Sequence, residues 1–316
     1  MKIVISEFMN QESIKQLKYN NNEVIYNPDL YKNNNKLLDE VKSANALIVR
    51  NQTKVDDNLF DYADDLKVVG RLGVGLDNID VKRANQEHIS VVSARNANAN
   101  SVAEYVISAM LYYYRPLHIA SEDTKKGEWE RKNHIGNEIS KKTLGLIGVG
   151  EIGHRVALRA KALGLNVIGN DPFLSSHDFP ISETGIELLS LNKVLLNSDF
   201  ISIHVPLNNF TENLIEKKCL SKMKPSACLI NSSRGGVVNE KDLAFALKNK
   251  IISFAVLDVL SQEPPKKNHP LLKINNCKIT PHISGLTEES QLKISELITH
   301  EVKKELENEI STFRVN

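Results

Sequence analysis

Three polar residues in the last third of the chain are of types that cooperate in proton and carboxylate chemistry. They are Arg234, in Asn231-Ser232-Ser233-Arg234-Gly235-Gly236, Glu263, in Glu263-Pro264, and His282, in Thr280-Pro281-His282. An arginine grips a carboxylate with two parallel N–H bonds. A histidine titrates near neutral pH and exchanges protons there. A carboxylate beside the ring orients it, raises its pKa and keeps the imidazolium available. Hydride transfer to a ketone needs this set: a cation for the substrate carboxylate, an acid for the forming alkoxide, and a group that maintains that acid. Taken singly, each has a plainer reading. Arg234 is then a loop residue, Glu263 a solvated acid and His282 a turn histidine. Position joins them, because each follows a short run of strand type, ending at Ser233, near Asp258 and at Pro281.

Those runs belong to a regular series. Ile3–Ser6, Val24–Tyr26, Ala46–Val49, Lys67–Val69 and Ile89–Val92 come first. Thr143–Ile147, Asn166–Gly169, Phe200–Val205, Ala227–Ile230, Ser253–Leu257 and Lys278–Thr280 follow. Each is short and rich in Val and Ile, as strands buried on both faces are. Helical patterns separate them, such as Asn239–Lys250 with Leu243, Ala246 and Leu247 on one face. Alternation of strand and helix means parallel sheets with right-handed crossovers, and two series mean two doubly wound α/β domains. The joint falls near Ala97–Asn100. The helix after it carries Val102, Val106, Ile107, Met110, Leu111 and Tyr114, more apolar surface than one face requires. A last amphipathic helix, Ser290–Glu309, remains after the second series and is expected to return to the first domain.

In such sheets ligands bind beyond the carboxyl ends of the strands. Gly148-Val149-Gly150-Glu151-Ile152-Gly153 matches G-x-G-x-x-G, with a strand leading in and a helix leading out. Gly148 permits the tight turn, Gly150 admits a pyrophosphate close to the backbone, and Gly153 lets the helix approach the strand. The helix N-terminus offers free N–H groups to the phosphates. A second strand ends at Asp171, eighteen positions past Gly153. An acid there accepts ribose hydroxyls and repels a 2′-phosphate, so NAD is expected over NADP.

Composition narrows the remaining classes. The chain has 316 residues, 41% hydrophobic and 25% charged, with a net charge of +1. That length suits two domains, and near-neutrality argues against an electrostatic nucleic-acid or membrane binder. No run approaches the roughly 18 apolar residues a membrane span needs. The first residues read at once as a strand, so no signal peptide is expected and a cytoplasmic protein is. Cys219, Cys228 and Cys277 lie far apart with no CxxC pair, and are expected to be buried thiols, with no metal site.

The chain resembles the D-2-hydroxyacid dehydrogenase family over nearly its whole length, most closely the branch acting on 3-phosphoglycerate. The matching stretches are Val49–Lys54, Gly70–Asp80 (Gly70-Arg71-Leu72-Gly73-Val74-Gly75 onward), Gly127–Arg131, the glycine loop and His204-Val205-Pro206-Leu207. Asn231–Gly236, Leu257-Asp258-Val259 with Glu263-Pro264, and Thr280-Pro281-His282 complete them. The resemblance implies that Arg234 binds the substrate carboxylate and carbonyl, that His282 is the acid/base, and that Glu263 is its partner. It implies backbone donors at Gly73, Val74 and Gly75, and further substrate contacts from Arg50, Asn51 and Arg71. Asp258 would meet the nicotinamide amide and Ile152 would line the cofactor pocket. Glu151, Val205, Pro206, Ser232 and Ser233 complete the implied cofactor set. His204 would flank the cofactor, though from the sequence alone it reads as structural.

The implied architecture is a Rossmann NAD-binding domain, residues 98–285, inserted in a flavodoxin-like substrate domain, residues 1–97 and 286–316. A closing cleft and a homodimer through the NAD domain go with it, with Arg131 near the dimer arm. Arg50 and Arg71 favour a substrate with a second anionic group, phosphate or sulfonate. The best expectation is reversible oxidation of 3-phosphoglycerate to phosphohydroxypyruvate, in serine biosynthesis. Sulfolactate, glyoxylate/hydroxypyruvate and aliphatic 2-hydroxy acids are the rivals. Many phosphoglycerate enzymes carry a C-terminal regulatory domain that binds serine, and the chain's early stop predicts no such feedback. A rival of another class is an NAD-sensing, corepressor-like binding protein. Formate enzymes of the family pair the histidine with Gln, which Glu263 argues against.

Overall fold

A computed structural model describes residues 1–316, the side chain of Asn20 excepted. The chain divides into two units, Met1–Asn98 with Leu286–Asn316, and Ala99–Gly285. The first unit holds β1 (Lys2–Ile5), β2 (Glu23–Tyr26), β3 (Ala46–Val49), β4 (Val68–Arg71) and β5 (Ser90–Ser93). They form one parallel sheet in the order β2-β1-β3-β4-β5. This is the flavodoxin-like order, with its switch point between β1 and β3. Ile3, Ile5, Ala46 and Ile48 face one core while Val4, Leu47 and Val49 face another. Both faces are covered, and for that reason the strands read as unbroken apolar runs.

The Glu288–Leu306 helix covers one of those faces with Ile294, Ile298 and Val302, and Thr287 and Ser290 form its capping box. The last amphipathic segment thus packs on the first sheet. The approach is close at Gly70, where an added Cβ would meet Val302 Cγ2 at 2.7 Å. Beyond the helix the chain pairs with the outer edge of β5, where Val315 donates to the Val91 carbonyl at 2.9 Å. Pairing shields an edge that would otherwise be a template for association.

The second unit holds β6 (Thr143–Ile147), β7 (Asn166–Asn170), β8 (Glu187–Leu188), β9 (Phe200–Ile203), β10 (Cys228–Asn231), β11 (Phe254–Leu257) and β12 (Cys277–Ile279). Their order is β12-β11-β10-β9-β6-β7-β8, all parallel. This is the Rossmann order with one added strand, and its switch point lies between β6 and β9. Two doubly wound parallel α/β sheets, as the alternation predicts, make up the fold. The sequence does not announce β8, because two residues cannot show a period. It also places the end of β9 too late: the strand stops at Ile203, although the His204 N–H still donates to the Ile147 carbonyl of β6 at 2.7 Å.

The Ala99–Tyr114 helix packs on the Glu151–Ala162 helix. It buries Val102, Ala103, Val106, Ala109 and Met110 and leaves Leu111 exposed. Among the described residues no helix is long and apolar enough to cross a membrane.

Candidate active site

The glycine loop leaves the carboxyl end of β6, and its three glycines answer to different demands. Gly148 has φ of 88°, and a Cβ there would lie 2.6 Å from the His204 carbonyl oxygen. A Cβ on Gly153 would lie 2.5 Å from the Gly148 carbonyl oxygen. The protein itself therefore requires both. Gly150 differs, with an ordinary φ of −70° and no atom within 4 Å of the added Cβ. Nothing in the chain demands a glycine there, while a ligand resting on the N-terminus of the Glu151–Ala162 helix does. The loop fits a dinucleotide pyrophosphate on this ground. Gly150→Val is accordingly expected to lower Tm only slightly, through a poorer N-cap for the Glu151–Ala162 helix, and to weaken NADH binding roughly tenfold or more, measured by fluorescence titration. Unchanged affinity would contradict the cradle.

Asp171 follows β7. One of its oxygens accepts the Val149 N–H at 2.9 Å and the other the Phe173 N–H at 3.0 Å. The carboxylate is thus fixed against the glycine loop, and two of its roughly four lone-pair sites remain for ribose hydroxyls. Glu151 begins the helix, is exposed and pairs with Arg155 at 2.9 Å, while Ile152 is half-buried beside it. His204 packs under the loop. Its Nε2 meets Ser202 Oγ at 2.9 Å, and its Nδ1 is buried with no partner among the described residues. Burial pushes its pKa down to about 3, so the ring is neutral. Val205 is half-buried and Pro206 exposed.

Asn231, at the end of β10, shapes the turn that carries Arg234. Its side-chain oxygen accepts from the N–H and Oγ of Ser233 at 3.0 and 2.8 Å, and its amide donates to the Arg234 carbonyl at 2.9 Å. Ser232 is buried and Ser233 half-buried within this turn. The turn interlocks with the loop that carries Glu263, since a Cβ on Gly235 would lie 2.0 Å from the Leu260 carbonyl oxygen and 2.5 Å from the Ser261 nitrogen.

Glu263 and His282 meet directly, with Glu263 Oε2 at 2.8 Å from His282 Nδ1. The other oxygen, Oε1, accepts the Leu260 N–H at 2.9 Å. Burial pushes the Glu263 carboxyl up, but the His282 and Leu260 hydrogen bonds and the charges of His282 and Arg234 outweigh it. The group is held below its ordinary value and is ionised at neutral pH. An ionised carboxylate only accepts, so Nδ1 carries a proton and Nε2 is the ring's working nitrogen.

His282 has φ of 56°, in the left-handed region that non-glycine residues seldom adopt. Asp258 braces it. The Asp258 carbonyl accepts the His282 N–H at 2.9 Å, and its carboxylate accepts the N–H groups of Ile283 and Ser284 at 2.8 and 2.7 Å. Thr280 Oγ1 also donates to that carboxylate at 2.6 Å, and Tyr105 Oη lies 2.6 Å from Thr280 Oγ1. Burial, the largest cause, raises the Tyr105 pKa to about 12, which keeps the phenol protonated. The bracing by Asn231, Asp258, Thr280 and Tyr105 escapes a reading from sequence. Only Asn231 leaves a signal, an Asn immediately before a Ser-Ser turn.

In the first unit Arg50 and Asn51 follow β3, and Arg71 is the last residue of β4. Glu7 is buried there, and its carboxylate accepts the N–H groups of Arg50, Gln52 and Thr53 at 2.8, 3.1 and 2.9 Å. Burial lowers the Arg50 pKa, and the charge of Glu7 opposes that shift. Arg71 Nη1 donates to the Leu72 carbonyl at 2.8 Å, folding over Gly73, whose φ of 151° suits glycine. Val74 is exposed and Gly75 half-buried.

Residues 107–284 match the family described as D-isomer specific 2-hydroxyacid dehydrogenase, NAD binding domain. The chain is 41% identical, over its full length, to a D-3-phosphoglycerate dehydrogenase of Methanocaldococcus jannaschii, but spans only 59% of that relative. It is 38% identical to an (S)-sulfolactate dehydrogenase of Chromohalobacter salexigens, over 96% of this chain and 98% of that one. In structure it is similar to the D-lactate dehydrogenase of Aquifex aeolicus complexed with NAD and lactic acid. The TM-score is 0.85 at 28% identity, over 98% of this chain and 96% of that one.

Proposed function

The chain belongs to the D-isomer specific 2-hydroxyacid dehydrogenase family, and from that premise we propose that it reversibly oxidises a small anionic D-2-hydroxy acid to the 2-keto acid with NAD. One observation carries the reading: an ionised carboxylate, Glu263, fixes Nδ1 of His282 at 2.8 Å and turns Nε2 to proton transfer. In the oxidising direction Nε2 takes the hydroxyl proton, and Glu263 stabilises the resulting imidazolium. Arg234 grips the carboxylate and the oxygen at C2 through its planar fork. NAD, when bound, supplies the acceptor for the hydride leaving C2. In the reducing direction the same imidazolium returns its proton to the alkoxide.

The wider assignment follows the same family. The Ala99–Gly285 unit is the NAD domain and the other unit the substrate domain. Arg50, Asn51, Arg71 and the Gly73–Gly75 backbone are its substrate groups. Glu7 sets the Arg50 loop. A cytoplasmic homodimer is part of the proposal, supported by three free cysteines and by the exposed Leu117, Ile119, Trp129 and Ile135 that follow the Ala99–Tyr114 helix.

The substrate we favour is 3-phosphoglycerate, supported by the two arginines and by the phosphoglycerate enzyme at 41% identity. Sulfolactate is the second reading, favoured by a relative that matches end to end. The two are sterically alike. Sulfur outranks the carboxyl carbon in the naming rules, so (S)-sulfolactate and D-3-phosphoglycerate have the same arrangement at C2. NADH oxidation with phosphohydroxypyruvate, sulfopyruvate, hydroxypyruvate, glyoxylate and pyruvate decides between them. The highest kcat/KM is expected for phosphohydroxypyruvate. A lead for sulfopyruvate moves the assignment to sulfolactate, and a lead for an uncharged acid removes the role given to the arginines. Failure of all five with NADH still bound would overturn the enzymatic reading.

Asp171 sets the choice of cofactor. Asp171→Ala removes the charge that repels a 2′-phosphate and the anchor of Val149. The NAD/NADP ratio of kcat/KM is expected to fall by roughly tenfold or more, with NAD use itself reduced. An unaltered ratio would count against Asp171.

A further inference from the structure

We infer that Glu240 is a positioning residue, whose carboxylate holds the loop bearing Glu263 at both ends and so sets the Glu263–His282 pair and the Arg234 turn. The kinetic consequences rest on the proposed function; the structural ones do not. Glu240 is the first residue of the Glu240–Lys248 helix, behind its cap Asn239, whose side chain accepts the Asp242 N–H at 3.1 Å. An acid at that place ordinarily complements the helix dipole from the surface. The side chain of Glu240 is only 12% exposed instead, and it reaches across to another loop. Oε1 accepts the Ser261 N–H at 2.6 Å, while Oε2 accepts Ser261 Oγ at 2.7 Å and His269 Nε2 at 2.8 Å.

A carboxylate this far from water is stable only when its oxygens are satisfied, and three donors do so here. The histidine is satisfied on both sides as well. Its Nδ1 faces the Leu271 N–H at 3.4 Å, which makes Nε2 the donor to Glu240. Ser261 and His269 are the two ends of a segment with Glu263 inside it, and Leu260, next to Ser261, donates the N–H that holds Glu263 Oε1. The Leu260–Ser261 peptide is also the one against which Gly235 packs. One carboxylate, only 12% exposed, therefore fixes the point where the Arg234 turn and the Glu263 loop meet. Glu240 acts through backbone and not on a reacting atom.

Loss of this clamp has a definite signature. With the loop free, Glu263 loses part of the Leu260 and His282 bonding that holds its pKa down. The charged groups facing Glu263 are His282 and Arg234, and neither is removed. For Glu240→Ala, kcat is expected to fall roughly tenfold to a hundredfold. KM for the 2-keto acid should rise with it, and the Kd for NADH should stay unchanged. The acid limb of the kcat/KM profile should move to higher pH, because Glu263 protonates earlier. His269→Gln, which keeps a donor to Glu240, should restore most of the activity that His269→Ala loses.

The decisive experiment combines these kinetics with hydrogen–deuterium exchange over Leu260–Leu271, which needs no substrate. Glu240→Ala should exchange faster there. Should it fail to fold, the isosteric Glu240→Gln serves, with an intermediate kcat and acid limb expected. A folded variant with wild-type kcat, an unmoved acid limb and unchanged exchange would overturn the inference. If the wild type reduces no 2-keto acid, the proposed function fails by itself, and the exchange result still decides whether Glu240 holds the loop.

Discussion

Substituting His282 by Ala or Asn is expected to lower kcat by about 10²–10⁴-fold, the usual contribution of a positioned acid/base, and to leave NADH binding intact. Nδ1 is committed to Glu263, so in the proposed mechanism Nε2 is the nitrogen that would exchange the substrate proton. The glycine loop and Asp171 are carried by β6 and β7 and keep their hydrogen bonds without the ring. Two variants are needed because of the backbone. At φ of 56° alanine is strained and asparagine tolerated. His282→Ala should therefore lose about 1 kcal/mol of stability, and with it Tm, as well as turnover, and His282→Asn turnover alone. Equal turnover in wild type and His282→Asn would remove the histidine from the chemistry.

Arg234→Ala is expected to lower kcat/KM by roughly 10²–10³-fold, most of it in KM and the remainder in kcat. Both parameters should move because the guanidinium, in its proposed role, would bind the substrate and also aim C2. Lysine should recover little, since a point charge cannot reproduce two parallel N–H bonds. The fold should survive. The turn is shaped chiefly by Asn231, which bonds the Arg234 carbonyl and Ser233, and the arginine adds one bond of its own, from Nη1 to the Ser233 carbonyl at 2.7 Å. Steady-state kinetics with the preferred 2-keto acid checks this, and an unchanged kcat/KM would refute the role.

How much of this was legible in the sequence depends on whether a feature is local. The apolar runs and the glycine loop are local, and they lead to both parallel sheets. Glu263 and His282 were legible as types placed after strands, and the sheet does bring them to 2.8 Å. The supports were not legible. Glu7 lies forty-three positions before Arg50 and still holds its backbone. Tyr105 reaches Thr280 across 175 positions. A buried carboxylate that accepts backbone N–H groups has no period and no spacing, because its partners are set by tertiary packing. The glycines mark a middle case. The pattern shows all three, but only the surroundings separate Gly148 and Gly153, where the chain leaves no room for a Cβ, from Gly150, where it leaves open space.

The central claim is that hydrogen leaves C2 of a D-2-hydroxy acid for NAD while His282 takes the hydroxyl proton. It is tested most directly with D-3-phosphoglycerate carrying deuterium at C2, incubated with the protein and NAD⁺, and mass spectrometry of the reduced nicotinamide. The account predicts deuterated NADH from the D enantiomer, none from the L enantiomer, and almost none with His282→Asn. Reduced cofactor without the label, or label arriving equally from the L enantiomer, would contradict it.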